Sequence, residues 1–249
     1  MAILKTEAIV LRTYDFRETS IIAHFFTKNY GRLSGILKGI RKDARKFAST
    51  LEPFSLNEII FYTSRSSELH LVSQCDLRDN FANIRTQVAS VGFASCIVEL
   101  IQRLTALEEK NEEAYQLAAR ALSQIDSGGD CEKVLRIFII KFLKLIGFRP
   151  RLDGCVRCNK NIIENASFSA KYGGLLCAGC AGVDSYSSDV RKGTIASLLY
   201  MEQNSYEDAL RLELSAQIKS QMESVLSSFM EFHLQIKSKS RELLEVLSK

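Results

Sequence analysis

The sequence predicts an α+β protein: a five-stranded antiparallel barrel at the N-terminus, then a helical domain with an inserted four-cysteine knuckle. Three observations predict it. Residues 1 to about 80 alternate β-branched or aromatic residues with polar ones, at the period of strands. From Arg78 onward the apolar spacing changes to that of helices. Two Cys-x-x-Cys pairs, Cys155/Cys158 and Cys177/Cys180, then interrupt the helical half with 18 residues between them.

The strand candidates are "EAIVLRTYDF", "SIIAHFFTKN", "GRLSGILKGI", "PFSLNEIIFYT" and "ELHLVSQCDL", separated by "RET", "NYG", "RKDARKFAST" and "SRSS". Five short strands in so few residues suggest a small closed barrel, because closure removes exposed sheet edges. Their number and length fit an OB-fold. An SH3-like barrel has the same count, and periodicity does not separate the two.

The helical half begins with "NIRTQVASVGFASCIVELIQRL", in which Ile84, Val88, Val91, Val98 and Ile101 mark one stripe and Phe93, Ile97, Leu100 and Leu104 broaden it. "NEEAYQLAARALSQI" follows, with Asn111 placed as N-cap and acids in the first turn. "CEKVLRIFIIKFLKLIG" is a buried helix, which Gly147 can end in the left-handed region and Pro150 prevents from continuing. Beyond the cysteines, "SSDVRKGTIASLLYM" reads as a capped helix. The stretch from Ser215 to about Ser238 spaces Ile218, Met222, Val225, Phe229 and Phe232 by four and three. The resulting organisation is a domain at 1–80 and a domain at 81–249, with the knuckle inserted at 150–183.

The spacing of the cysteines argues for a metal. A Cys-x-x-Cys turn presents two sulfurs on one side at the separation a tetrahedral Zn²⁺ requires, and the 18-residue interval lies within the roughly 15–20 found between such pairs. A thioredoxin-like redox pair would sit in a βαβ setting, which is missing, and ordinary buried thiols would not fall at this spacing. With protein sulfur at all four positions, one Zn²⁺ per chain would be structural. The intervening "NIIENASFSAKYGG" reads as a polar loop too short for a core of its own, where a metal supplies what burial cannot.

Net charge is +4, but its distribution is uneven. Between Lys28 and Lys46 stand seven basic residues (Lys28, Arg32, Lys38, Arg41, Lys42, Arg45, Lys46) against one acid, Asp43. Cations gathered on a strand and its loop form the kind of stripe that a phosphate backbone needs. Phe25, Phe26, Tyr30 and Phe47 are interleaved, and a base could stack on an exposed one. Gly31, Gly35 and Gly39 would let another backbone approach closely or let the sheet curl. No base-reading element is recognisable, so binding would be tolerant of sequence. The competing reading is a solvated loop of ordinary surface lysines.

Enzyme signatures are missing. There is no P-loop, no Gly-x-Ser-x-Gly elbow and no His-Glu-x-x-His. His24, His70 and His233 read as surface or satisfied residues. The first residues lack the charge-then-apolar pattern of a signal peptide, and "VLRIFIIKFLKLIG" is too short to span a bilayer, so a cytosolic, non-enzymatic binding protein is expected.

In order along the chain, "EAIVLRTYDFRETSIIAHFFTKNYGRLSGILKGIRK", "LEPFSLNEIIFY", "FLKLIGFRPRLDGCVRC", "FSAKYGGLLCAGC" and "HLQIKSKSRELL" resemble the RecO family of bacterial DNA repair and recombination mediators. The resemblance implies an OB-fold N-terminal domain and a helical domain with a zinc knuckle on Cys155, Cys158, Cys177 and Cys180. Some family members lack these cysteines, which implies a stabilising metal. It further implies binding of single- and double-stranded DNA, annealing of complementary strands, and help in loading RecA onto strands coated by single-strand binding protein, without nucleotide hydrolysis. RecR is an implied partner, as are single-strand binding protein, through its acidic, apolar tail, and RecF. The implied location is the bacterial cytoplasm, in association with the nucleoid. DNA contact carries over to Lys38, Arg41 and Lys42, while Arg45 and Lys46 rest on charge alone. The alternative from another class is a zinc-stabilised protein–protein adaptor that does not bind DNA.

Overall fold

The computed structural model describes residues 2–40, 47, 51–64, 67–162 and 164–236. These residues fall into two compact units, one running through Cys131 and the other starting at Glu132.

The first unit is built on five strands: β1 (Ile3–Phe16), β2 (Ser20–Thr27), β3 (Gly31–Leu37), β4 (Leu56–Tyr62) and β5 (Leu69–Asp79). They close in the order β1-β2-β3-β5-β4 and return to β1. The expected five-stranded barrel is therefore present, and its order is OB-like. One pairing departs from the antiparallel expectation: β3 and β5 run parallel, with Ser34, Gly35 and Ile36 opposite Leu69, His70 and Leu71. Periodicity reports which face a residue occupies but not which strand lies beside it, so this pairing was not legible in the sequence.

Alternation fills the barrel. Ala8, Val10, Ala23, Phe25, Leu33, Leu37, Ile59, Phe61, Val72 and Cys75 all point inward and are buried. A bulge between Val10 and Arg12 inserts one extra residue into β1. It changes which side chains face out: Val10, opposite Phe25, points into the core, whereas Arg12, opposite His24, points away.

Part of the outer face is covered by the helices α1 (Val88–Leu104) and α2 (Glu112–Asp126). Ile9 and Phe26 are fully buried there, and Phe26 meets Tyr115 of α2 with ring centroids 6.1 Å apart. The α1–α2 connection docks on β3. Glu108 N–H donates to the Arg32 carbonyl at 2.8 Å, and Arg32 Nη2 donates to the Thr105 carbonyl at 2.9 Å. Gly31 permits this approach, because a Cβ there would lie 2.1 Å from the Glu109 carbonyl oxygen. The expected close backbone contact is thus made by the protein itself. Asn111 caps α2 as predicted, with its Oδ1 accepting from Ala114 N–H at 2.9 Å. The α1 segment starts later than its periodicity suggests: Ile84 lies in a preceding 3-10 turn (Ala82–Thr86), and Val88 is exposed.

In the second unit, α3 (Cys131–Leu145) supplies Val134, Ile137, Phe138, Ile140 and Phe142 to the interior. It ends where the sequence says it should, at Gly147 with φ 80°. The segment expected as a polar loop is instead a small sheet, β6 (Ala166–Ser169), β7 (Gly174–Leu176) and β8 (Ser188–Val190), in the order β7-β6-β8. Every residue of β6 and β7 is buried. Because "SDV" forms β8, α4 (Lys192–Gln203) starts at Lys192 without a side-chain cap. A short α5 (Tyr206–Arg211) precedes α6 (Ala216–Leu234), which Ser215 caps and whose Met222, Val225 and Phe229 face inward. Phe232 is exposed, unlike the other residues of its stripe. Among the described residues no helix is long and apolar enough to cross a membrane.

Candidate metal centre and nucleic-acid interface

Each Cys-x-x-Cys pair is a tight hydrogen-bonded turn. In the first, Asn159 N–H donates to the Cys155 carbonyl at 3.0 Å and Cys155 N–H to the Lys160 carbonyl at 2.9 Å, with Asn159 in the left-handed region at φ 61°. In the second, Cys180 N–H donates to the Cys177 carbonyl at 2.8 Å and Ala181 N–H to the same oxygen at 3.0 Å. The sheet holds the two turns together. Leu175 N–H donates to the Arg151 carbonyl, and Val156 N–H donates to the Leu175 carbonyl. Gly174 is needed at this crossing, since its Cβ would stand 2.4 Å from the Arg151 carbonyl oxygen. Gly179 and Gly182, by contrast, have open space around them.

The four sulfur atoms all lie within 4.8 Å of one another, and those of Cys158 and Cys177 are 3.6 Å apart. A tetrahedron of thiolates about 2.3 Å from Zn²⁺ has edges of about 3.8 Å, so the set fits such an ion. The electrostatics agree. Burial pushes the Cys155 thiol up, but the backbone amides of Cys177, Cys158 and Arg157 and the Cys158 thiol outweigh it and bring it down to about 6. Burial and hydrogen bonds to Cys177, Cys158 and Cys155 push Cys180 up to about 12. Four thiolates this close repel one another unless a cation sits among them. Among the described residues, this is the group of His, Cys, Asp and Glu side chains gathered closely enough to hold a metal.

The expected DNA-contact residues are placed unevenly. Arg41, Lys42, Arg45 and Lys46 lie outside the described residues. Lys38 is exposed in the turn that follows β3. Lys28 lies at the other end of the barrel, 3.7 Å from Glu7, and Arg32 is half-buried and bound to the Thr105 carbonyl. Arg32 and Lys38 are six residue steps apart, about 20 Å at the rise of a β-strand. The anticipated stacking rings are largely internal: Phe25, Phe26 and Phe47 are buried, and the half-buried Tyr30 meets Phe61 edge-on.

The structure adds cations that the sequence reading passed over. Arg17 is exposed in the turn between β1 and β2, at the same end of the barrel as Lys38, and Arg12 is exposed midway along the barrel, level with His24 and Ser34. Arg12 lies over the Tyr14 ring at 4.6 Å, and Arg17 over Phe16 at 5.2 Å. Asp15 and Glu18 are the acids at this end. The available signal was the i, i+2 repeat of Arg12 and Tyr14, but it falls outside the dense basic run.

Two of the three histidines have hydrogen-bond partners, and the third makes a ring contact. His70 is buried between Ser64 N–H and Glu108, His24 packs on Tyr14, and His233 meets the Ala170 carbonyl.

Comparison with known proteins agrees with this architecture. Residues 1–81 match the family described as Recombination protein O N terminal, and residues 85–242 match Recombination protein O C terminal. The chain is 30% identical over 249 residues to the DNA repair protein RecO of Syntrophus aciditrophicus, covering 98% of this chain and 96% of that protein. It is 30% identical over 250 residues to the DNA repair protein RecO of Caldanaerobacter subterraneus subsp. tengcongensis, covering both chains completely. Against the DNA repair protein RecO of Alkaliphilus metalliredigens it is 29% identical over 233 residues, covering 93% and 94%. An OB-like barrel joined to a helical part with a four-thiol knuckle, matched by both halves of one family along almost the whole chain, makes this protein a member of the RecO family of DNA repair and recombination proteins.

Proposed function

We propose that this chain is a DNA-binding recombination mediator that anneals complementary single strands and helps load RecA onto strands coated by single-strand binding protein. The observation that carries this reading is a RecO-family barrel whose β3 leads, at exposed Lys38, into the run Arg41, Lys42, Arg45 and Lys46. Residues 1–80 act as the nucleic-acid-binding domain. Residues 81–249, with the 150–183 insertion, act as the helical domain that meets RecR, single-strand binding protein and RecF. Cations on the barrel hold the phosphates of two strands, lower their mutual repulsion and let complementary bases meet. Lys28 and Arg32 lie toward the opposite end of the barrel, where a bound strand would have to extend to reach them and where Arg32 also supports the fold.

No catalytic step is needed in this mechanism, and no nucleotide is hydrolysed. Zn²⁺ is the ion assigned to Cys155, Cys158, Cys177 and Cys180, one per chain, where it fixes the two turns and leaves no position open for substrate. The setting is the bacterial cytoplasm, at the nucleoid, with single- and double-stranded DNA as ligands.

The test is the annealing rate of complementary oligonucleotides at low salt with excess protein. Acceleration over the spontaneous rate, lost when Lys38, Arg41 and Lys42 are replaced by Ala, is the expected result. No acceleration, with RecR still bound, would leave the adaptor reading instead.

A further inference from the structure

The aromatic rings within the basic run are mostly core, so any base stacking must occur elsewhere, and the bulge in β1 supplies a place. By adding a residue between Val10 and Arg12, it turns Arg12 and Tyr14 outward. Without it, Tyr14 would share the inward face of Ala8 and Val10. Bulges of this kind recur where a side chain must be re-aimed.

The outward residues form one cluster across three strands. Arg12 stands opposite His24, which stands opposite Ser34 of β3. The Tyr14 and His24 rings are 5.3 Å apart, tilted at 55°. Tyr14 is 40% exposed, a large aromatic left open to water. Arg12 lies over its ring at 4.6 Å and is in no ion pair among the described residues. Arg32 reaches the same place from β3: both guanidinium groups act on the His24 imidazole through space. The acids nearby are Asp15, next to Tyr14 on β1 and opposite Ile21, and Glu18, in the turn that follows. On an OB-like barrel this region, β2 and β3 with the β1–β2 turn, is the face that receives single strands.

Resting on the reading of this chain as a DNA-binding protein, we propose that Tyr14 and His24, flanked by Arg12 and Arg32, form a base-stacking site for single-stranded nucleic acid. One unstacked base lies on the Tyr14 ring, and Arg12 swings from that ring to the adjoining phosphate. A duplex keeps its bases stacked on one another and has none to offer, so the site discriminates by strandedness and not by sequence.

The chain has no Trp, so Tyr14→Trp creates a single fluorescent reporter at the site. It is titrated with oligothymidylate, with an abasic oligonucleotide of equal length and with a duplex. Oligothymidylate should quench the reporter, and the abasic strand and duplex should not. In parallel, Tyr14→Leu should weaken oligothymidylate binding about 10-fold while leaving abasic and duplex binding unchanged, and Tyr14→Phe should restore the affinity. Arg12→Gln should reduce the salt slope by about 0.7. Equal quenching by the abasic strand, full oligothymidylate affinity in Tyr14→Leu, or failure of Tyr14→Phe to restore it would each overturn the stacking site. If those results came with binding that still depends on Lys38, Arg41 and Lys42, only the stacking site would fall. If the unsubstituted chain bound no oligonucleotide, the functional reading would fall with it.

Discussion

His24 shows how a single residue can set the pH response of the barrel. Its pKa is lowered from the ordinary value of about 6.5 by burial first, then by Arg32 and Arg12. A folded-state value below the unfolded one means that the unfolded chain takes up the proton first on acidification. Stability is therefore full above about pH 6.5 and is lost as pH falls toward the folded value. Carboxylates contribute at lower pH: Glu58, lowered chiefly by its hydrogen bond to Lys5 and further by Arg78, loses its partners only below the ordinary carboxylate range. Urea midpoints at about pH 7.5 and about pH 5.5 should differ less in His24→Gln than in the unsubstituted protein. An identical difference would show that His24 carries none of the effect. Under the proposed function, a bound polyanion would offset the two arginines, and acidification through His24 would tighten binding.

The elements differ in how far their residues announced them. The strands of the barrel are spelled out by alternation, as in Leu56–Tyr62, where Asn57, Ile59 and Phe61 are buried between half-buried neighbours. Helices with strong terminal signals were equally legible: Asn111 and Gly147 mark their ends by side-chain capping and by a left-handed backbone. The three-stranded sheet around the thiols was not. Its strands are three or four residues long, and "ASFS" places serines at buried positions whose hydroxyls bond to Asp184 and Asp189, a pattern indistinguishable from a polar loop. The cysteine positions were readable because metal geometry constrains spacing directly. The four sulfurs then determine what chelation does. Purified protein should contain one Zn per chain, and chelation should raise amide hydrogen exchange at Cys155, Val156, Leu175 and Cys180, where the turns meet the sheet. Absence of metal together with unchanged exchange would remove the metal from the account.

For the whole molecule, the decisive quantity is where unbalanced positive charge sits. Surface ion pairs such as Lys5–Glu58, Arg85–Glu52 and Arg103–Glu99 contribute little to stability and neutralise their own surroundings. Arg17 and Lys38 gather instead at one end of the barrel, next to the start of the densest basic run, with Arg12 exposed midway along β1. Composition made that run visible, but not its division by the barrel, which sends Lys28 to the far end, sets Arg32 near Arg12 about His24, and brings Arg17 to the Lys38 end from a different stretch. Proximity across a sheet depends on register, and register here depends on one bulge at Leu11 and one parallel pairing.

The central claim is that the barrel end carrying Lys38 holds a phosphate backbone by charge. Its most direct test is the affinity for single-stranded DNA measured at several salt concentrations. The account predicts a linear fall of log affinity with log salt, about −0.7 per phosphate contact, that flattens when Lys38, Arg41, Lys42, Arg45 and Lys46 become Ala. An unaltered slope in that variant, or affinity indifferent to salt in the unsubstituted chain, would contradict it.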